Sequence, residues 1–322
     1  MPRVLITTDY LRPGDAVDQY LRGAGHETVH LPMTGRRDPE ELVAALDGVE
    51  AALVANEPLT EDVLRRAPSL RVVVRTGVGY DSVDVDAAAR LGITVSNLPG
   101  INANAVAEYT LGLLLAAARR LVQSAAGVAA GGWPREDGHE LRGATLGLIG
   151  WGAAARRVAT LARALGMTVL CTTGVPDDQR GGEGSEQVRF VGLDELLAGS
   201  DYVSVHTALT ERSRGLLGAA AFRSMRPTAV LVNTARGLIV DERALAAAVR
   251  AGEIAGAALD VAATEPLPED SPLRGVDGIV VYSHLAGQTA EARQAAGTEG
   301  AAELVRSLAG APRFAVTAGV PA

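Results

Sequence analysis

Short β-branched runs alternate with Ala- and Leu-rich helical spacing along almost the whole chain, and that alternation leaves few folds open. Runs at 3–8, 51–55, 71–75 and 93–96 read as strands, and 38–46 and 60–67 between them carry helical spacing with polar starts. After the break Asn97-Leu98-Pro99-Gly100, one long helix is expected from Asn104 to about Ala130, then a loop, GGWPREDG, at 131–138. Strands resume at 145–149, 168–172, 202–205, 229–233, 255–259 and 278–281, with a last helix over about 289–308. Such repetition predicts parallel strands joined by helical crossovers, the α/β class. The polar, Gly-rich stretch 174–187 reads as a surface loop. Two α/β units are expected, the second starting near Pro99; periodicity alone leaves open which of them holds the last helix.

A length of 322 residues also favours two domains. With 48% hydrophobic but only 3% aromatic residues, the core must be built from Ala, Val and Leu. A formal net charge of -8 argues against nucleic acid as a partner. No basic amphipathic helix argues for a membrane surface, and the apolar run 110–118 is short for a span and ends at Arg119 and Arg120. The N-terminal MPRVLITTDY lacks a signal pattern. A single cysteine, Cys171, excludes an internal disulfide and a Cys-rich metal site, so a cytoplasmic protein without a bound metal is expected.

LGLIGWGAAARRVA, 146–159, holds Gly150-Trp151-Gly152-Ala153-Ala154-Ala155, the G-x-G-x-x-A variant of the dinucleotide fingerprint. Gly150 permits the tight turn, Gly152 lets backbone approach a pyrophosphate, and Ala155 lets the helix lie close on the sheet. The helix start around Ala153 and Ala154 offers N–H groups and a positive dipole end to phosphate. Alone the match is weak; an apolar strand before it and an Ala-rich helix after it put dinucleotide binding above a plain Gly-rich turn. The acid expected at the end of the next strand is missing: Thr173 stands there, Asp177 and Asp178 come late, and Arg180 is the nearest arginine. NAD and NADP both remain open.

Arg236, Glu265 and His284 each follow a strand of the second unit. Singly they read as an ion-pair residue, a loop charge and a structural histidine. Together, at the strand ends where open α/β sheets bind ligands, they can anchor an acid, orient a proton donor and supply the proton. His206 also ends a strand and can line the cofactor site, whereas His26, His30 and His139 have no such setting.

The segments RTGVGYDSVDVDAAARLGITVSNLPG (75–100), NAVAEYTLGLLLAAARR (104–120), VLVNTARGLIVDERALAAAVRAGEIAGAALDV (230–261), EPLPEDSPL (265–273) and SHLAGQTAEA (283–292) stand in a set order. With these, the chain resembles the D-isomer-specific 2-hydroxyacid dehydrogenase family over nearly its whole length. The resemblance implies two Rossmann-like, doubly wound parallel-sheet domains with a cleft between them. Residues 1–98 with 288–322 would bind substrate and 99–287 the dinucleotide, with hinges at 97–100 and 286–289. It implies His284 as acid and base, Glu265 orienting it, and Arg236 with the N–H groups of Val78 and Gly79 holding the substrate carboxylate. NAD or NADP would be held by Gly150, Gly152, Ala153, Ala154, Thr173, His206, Thr234, Asp260, His284 and Gly287, with Asp260 facing the nicotinamide amide. A homodimer through the helix after the first hinge is also implied. Glu57 replaces a basic residue of the phosphoglycerate branch, and no regulatory domain is expected after Ala322. Both favour a small unphosphorylated 2-keto or 2-hydroxy acid. A dinucleotide-binding corepressor-like scaffold and a reductase of a non-carboxylate substrate are the alternatives.

Overall fold

The computed structural model describes residues 1–33, 38–182, 184–185 and 187–317; part of the expected loop at 174–187 and the end of the chain up to Ala322 lie outside the described residues. Backbone packing divides the chain into two compact units, Met1–Asn102 with Gln288–Ala322, and Ala103–Gly287.

The first unit runs β1 (Arg3–Ile6), α1 (Ala16–Gly23), β2 (Glu27–His30), α2 (Pro39–Ala45), β3 (Ala51–Val54), α3 (Glu61–Arg65), β4 (Val72–Arg75), α4 (Val85–Arg90) and β5 (Thr94–Ser96). Its sheet is wholly parallel in the order β2-β1-β3-β4-β5. Asp15, Asp38, Thr60 and Asp84 cap the four helices with side-chain oxygens, which fixes where each begins. The strands β3 and β4 are buried throughout, the mark of a sheet covered on both faces.

The second unit runs α5 (Ala103–Ala118), α6 (Leu121–Ala129), β6 (Thr145–Ile149), α7 (Ala153–Ala164), β7 (Thr168–Thr172), β8 (Val188–Phe190), α8 (Leu193–Gly199), β9 (Tyr202–Val205), α9 (Ala219–Ser224), β10 (Val230–Asn233), α10 (Glu242–Arg250), β11 (Gly256–Leu259) and β12 (Ile279–Val281). Its parallel sheet has the order β12-β11-β10-β9-β6-β7-β8. The strand order therefore reverses between β6 and β9, and ligands of doubly wound sheets bind outside such a switch point.

The last helix, α11 (Ala290–Leu308), belongs to the first unit. Its Ala301 and Leu304 join Val4, Ile6, Leu53 and Val74 in one buried cluster. Gly300 lets the helix lie close, because a Cβ there would come within 2.9 Å of Leu53. Buried Glu303 accepts from Ser96 Oγ and from the N–H groups of Arg313 and Phe314, tying the end of the described chain to β5.

The expected helix from 104 to 130 is two helices bent by 64°. Arg120 takes a left-handed conformation, φ 52°, and the N–H of His139 occupies the carbonyl of Ala118 at 2.8 Å, so the ladder cannot continue. The strands β2 and β8 did not stand out as apolar runs. Both are sheet edges and alternate or lack full burial. Among the described residues no single helix is long and apolar enough to cross a membrane.

Candidate active site

The glycine turn lies at the switch point. Gly150 has φ 107° and leaves β6 so close to β9 that a Cβ would stand 2.6 Å from the His206 carbonyl oxygen. Only glycine meets both conditions. Gly152 opens α7 as its N-cap without any side-chain hydrogen bond, and a Cβ on it would meet nothing within 4 Å. Backbone N–H groups of the first turn, with exposed Ala153 and partly exposed Ala154, thus border open space, while Ala155 is fully buried against the sheet. This cradle fits a pyrophosphate. His206 bonds Ser204 Oγ through Nε2 at 2.9 Å; desolvation pushes its pKa down to about 4, so the ring is neutral at pH 7. Thr234, mostly buried, contacts Thr110 Oγ1 through its own Oγ1 at 3.1 Å. Cys171 is buried in β7 and desolvation raises its thiol to about 12, which makes it a strand residue and not a nucleophile.

Arg236 owes its place to its neighbours. Buried Asn233 at the end of β10 accepts from the Ala235 N–H at 3.0 Å and donates to the Arg236 carbonyl at 2.9 Å, closing a tight turn. Gly237 then packs flat on the 261–263 backbone, where a Cβ would run into the Ala262 carbonyl. The guanidinium donates from Nη1 to the Ala235 carbonyl at 2.8 Å.

Beyond β11 and β12 the other two members meet. Glu265 Oε2 lies 2.8 Å from His284 Nδ1, while its Oε1 accepts from the Ala262 N–H at 3.1 Å. Both side chains are partly exposed, 27% and 35%. His284 is left-handed, φ 59°, a conformation that costs a non-glycine residue about 1–3 kcal/mol and persists only where its surroundings impose it. Asp260 imposes it. Its carbonyl takes the His284 N–H, and its fully buried carboxylate takes the N–H groups of Leu285 and Ala286, each at 2.8 Å. The Tyr109 hydroxyl on α5 lies in the field of Asp260, and burial first, then that carboxylate, raises its pKa to about 12. Gly287 closes the unit three residues after the histidine.

Residues 111–286 of this unit match the family model described as the NAD binding domain of D-isomer specific 2-hydroxyacid dehydrogenase. The chain belongs to the D-isomer-specific 2-hydroxyacid dehydrogenase family. It is 39% identical over 303 residues to a D-3-phosphoglycerate dehydrogenase of Archaeoglobus fulgidus, an alignment that takes in 92% of this chain and 56% of that protein. Against an (S)-sulfolactate dehydrogenase of Chromohalobacter salexigens it is 42% identical over 261 residues, 80% of this chain and 84% of the relative. The chain thus spans little more than half of the first relative and most of the second. A solved structure of a Thermus thermophilus protein covers 98% of this chain and 99% of its own, with a TM-score of 0.86 and 36% identity.

Several family-expected residues lie in the first unit. Val78, exposed, and Gly79 follow β4, and the Val78 carbonyl accepts from Asn97 Nδ2 at 2.7 Å. Glu57 lies in the loop after β3. It is 4% exposed, and its carboxylate accepts from the Ala55 N–H at 2.6 Å. A basic side chain is present beside this loop after all, because Arg75 from β4 donates to Asn56 Oδ1. Asn233, Gly237 and Tyr109 were not legible as site residues; for Asn233, a polar residue closing the apolar run 229–233 was the available signal. Among the described residues no three His, Cys, Asp or Glu are grouped to hold a metal.

Proposed function

We propose that this chain is an NAD(P)-dependent D-2-hydroxyacid dehydrogenase that interconverts a small 2-keto acid and its D-2-hydroxy acid. The contact between Glu265 and His284 Nδ1 carries the reading. With Nδ1 committed to the carboxylate, the proton exchanged with substrate is carried at Nε2. In reduction His284 gives that proton to the keto oxygen; in oxidation it removes it from the hydroxyl. Arg236 binds the substrate carboxylate through its planar fork and polarises the reacting carbonyl. The N–H groups of Val78 and Gly79 take the second carboxylate oxygen.

A dinucleotide bound at the second unit supplies hydride chemistry. Gly150, Gly152, Ala153 and Ala154 receive its pyrophosphate, Thr173 its adenosine end, and His206, Thr234, Asp260, His284 and Gly287 line the rest. Asp260, whose carboxylate holds the histidine loop, is placed on the nicotinamide amide side by the family resemblance. The first unit then serves substrate, with hinges at 97–100 and 286–289. A homodimer buries the exposed Leu121, Val122 and Val128 of α6, which has no buried residue in the single chain. A cytoplasmic setting fits the single, buried Cys171.

The test is cofactor oxidation with glyoxylate, hydroxypyruvate and pyruvate, extended to the sulfonate- and phosphate-bearing keto acids that the relatives' names suggest. Turnover of at least one is expected, lost in H284N and sharply reduced in R236K. Dinucleotide binding without turnover of any keto acid overturns the reading in favour of a scaffold.

A further inference from the structure

The loop after β7 is built onto the glycine turn. Trp151, between the two fingerprint glycines, is 3% exposed and donates its indole N–H to the Arg180 carbonyl at 2.9 Å. Arg156, one helical turn along α7, stacks on Trp151 with its guanidinium 4.9 Å from the ring centre. It also donates to the carbonyls of Gly181 and Gln179 at 2.5 and 3.0 Å. Phe190 of β8 packs edge-on to Trp151, and the Arg180 guanidinium lies over Phe190 at 5.1 Å. Arg180 is thereby brought back over the end of β7. Its Nε donates to the Val175 carbonyl at 2.9 Å, and the fields of Arg180 and Arg156 both reach Cys171 within the strand.

That strand end is where a dinucleotide's adenosine ribose sits, and a carboxylate there selects NAD by bonding the 2′-hydroxyl and repelling a 2′-phosphate. Here it carries Thr173, whose Oγ1 accepts from the Val175 N–H at 3.1 Å and so keeps its own proton to donate outward. The nearby acid, Asp177, is 87% exposed and already paired with Arg180 at 2.6 Å, a surface pair that an incoming phosphate can displace. We propose that the adenosine end of this site selects a 2′-phosphorylated dinucleotide, with Arg180 as the specificity-determining residue and Thr173 as its companion. The inference rests on the dinucleotide reading of the glycine turn.

The experiment is calorimetric titration of the folded chain with 2′,5′-ADP, 5′-AMP, NADP and NAD. The wild type is expected to bind 2′,5′-ADP about tenfold or more tighter than 5′-AMP, the scale of one charge-assisted contact. R180Q is expected to remove most of that difference by weakening 2′,5′-ADP alone. T173D is expected to reverse it, and this variant leaves the Arg180 loop contacts in place. Equal or preferred binding of 5′-AMP and NAD by the wild type overturns the selection and leaves the dinucleotide reading standing. So does a preference that neither variant moves. If none of the four ligands binds, both fall together.

Discussion

Each unit has a parallel strand that runs into a helix, β1 into α1 and β6 into α7, and the two turns are finished in opposite ways. In the first unit the turn into α1 is filled by the chain's own carboxylates. Asp15 accepts from the N–H groups of Asp18 and Arg12, and Asp18 from that of Gly14, all at 2.8 Å. In the second unit α7 starts at Gly152 with no side-chain cap and open space beside it. The same local geometry is therefore closed in one unit and ready for an anion in the other. What makes a phosphate site is the absence of an internal acceptor at the helix start, more than the presence of a helix.

The largest effect expected is at the chemistry. H284N should lower kcat by about 10²- to 10⁴-fold with dinucleotide binding retained. Asn tolerates the left-handed conformation, so this variant separates the lost proton from a relaxed loop. Next, G152D transplants the closure of α1 onto α7. Dinucleotide binding should fall at least about a hundredfold, since carboxylate and phosphate then compete for the same N–H groups and repel one another. Thermal stability should hold or rise. Unchanged affinity in G152D would show that the two turns do not differ in the way described. The reciprocal change, D15A, should lower stability by about 0.5–2 kcal/mol in urea titration without touching dinucleotide affinity.

The smallest effect is one of pH. His206 has its folded pKa lowered to about 4 by desolvation, so its contribution is complete above the ordinary histidine value of about 6.5 and is lost as pH falls toward 4. Asp18 behaves differently. Burial pushes its pKa up, but bonds from Thr28, His30, the Gly14 N–H and Arg22 outweigh this and hold it well below the usual range. Its contribution is complete above about pH 4 and is lost only as pH falls further. Both tryptophans, Trp133 and Trp151, lie in the second unit. On acidification in mild urea, the tryptophan emission change in H206N should therefore move to lower pH than in the wild type; an unmoved transition would sink the assignment.

Much of this was legible in the sequence because parallel strands buried on both faces write continuous apolar runs, and a glycine turn must write glycines. The three polar residues at strand ends stood out because charge beside an apolar run needs a reason. What stayed hidden depends on contacts distant in sequence. The break in the helix after Ala118 is decided by His139, the edge strands β2 and β8 have only one neighbour to bury them, and the inward turn of Glu57 follows from its own loop's N–H groups. Asp260 looked like a ligand residue, and its hold on His284 could be seen only once residues 260 and 284–286 were brought together.

The buried junction made by Glu303 sets an order of assembly on the ribosome. The second unit is one uninterrupted stretch, complete once Gly287 has emerged. The first unit begins the chain yet lacks α11 and the partners of Glu303 until Phe314 is made. While residues 103–289 are being made, the face of its sheet formed by Val4, Ile6, Leu53 and Val74 waits for α11. The first unit is finished last, so a nascent chain stalled where Gly287 has left the exit tunnel and α11 is still inside it should display a protease-resistant second unit beside a sensitive N-terminal segment.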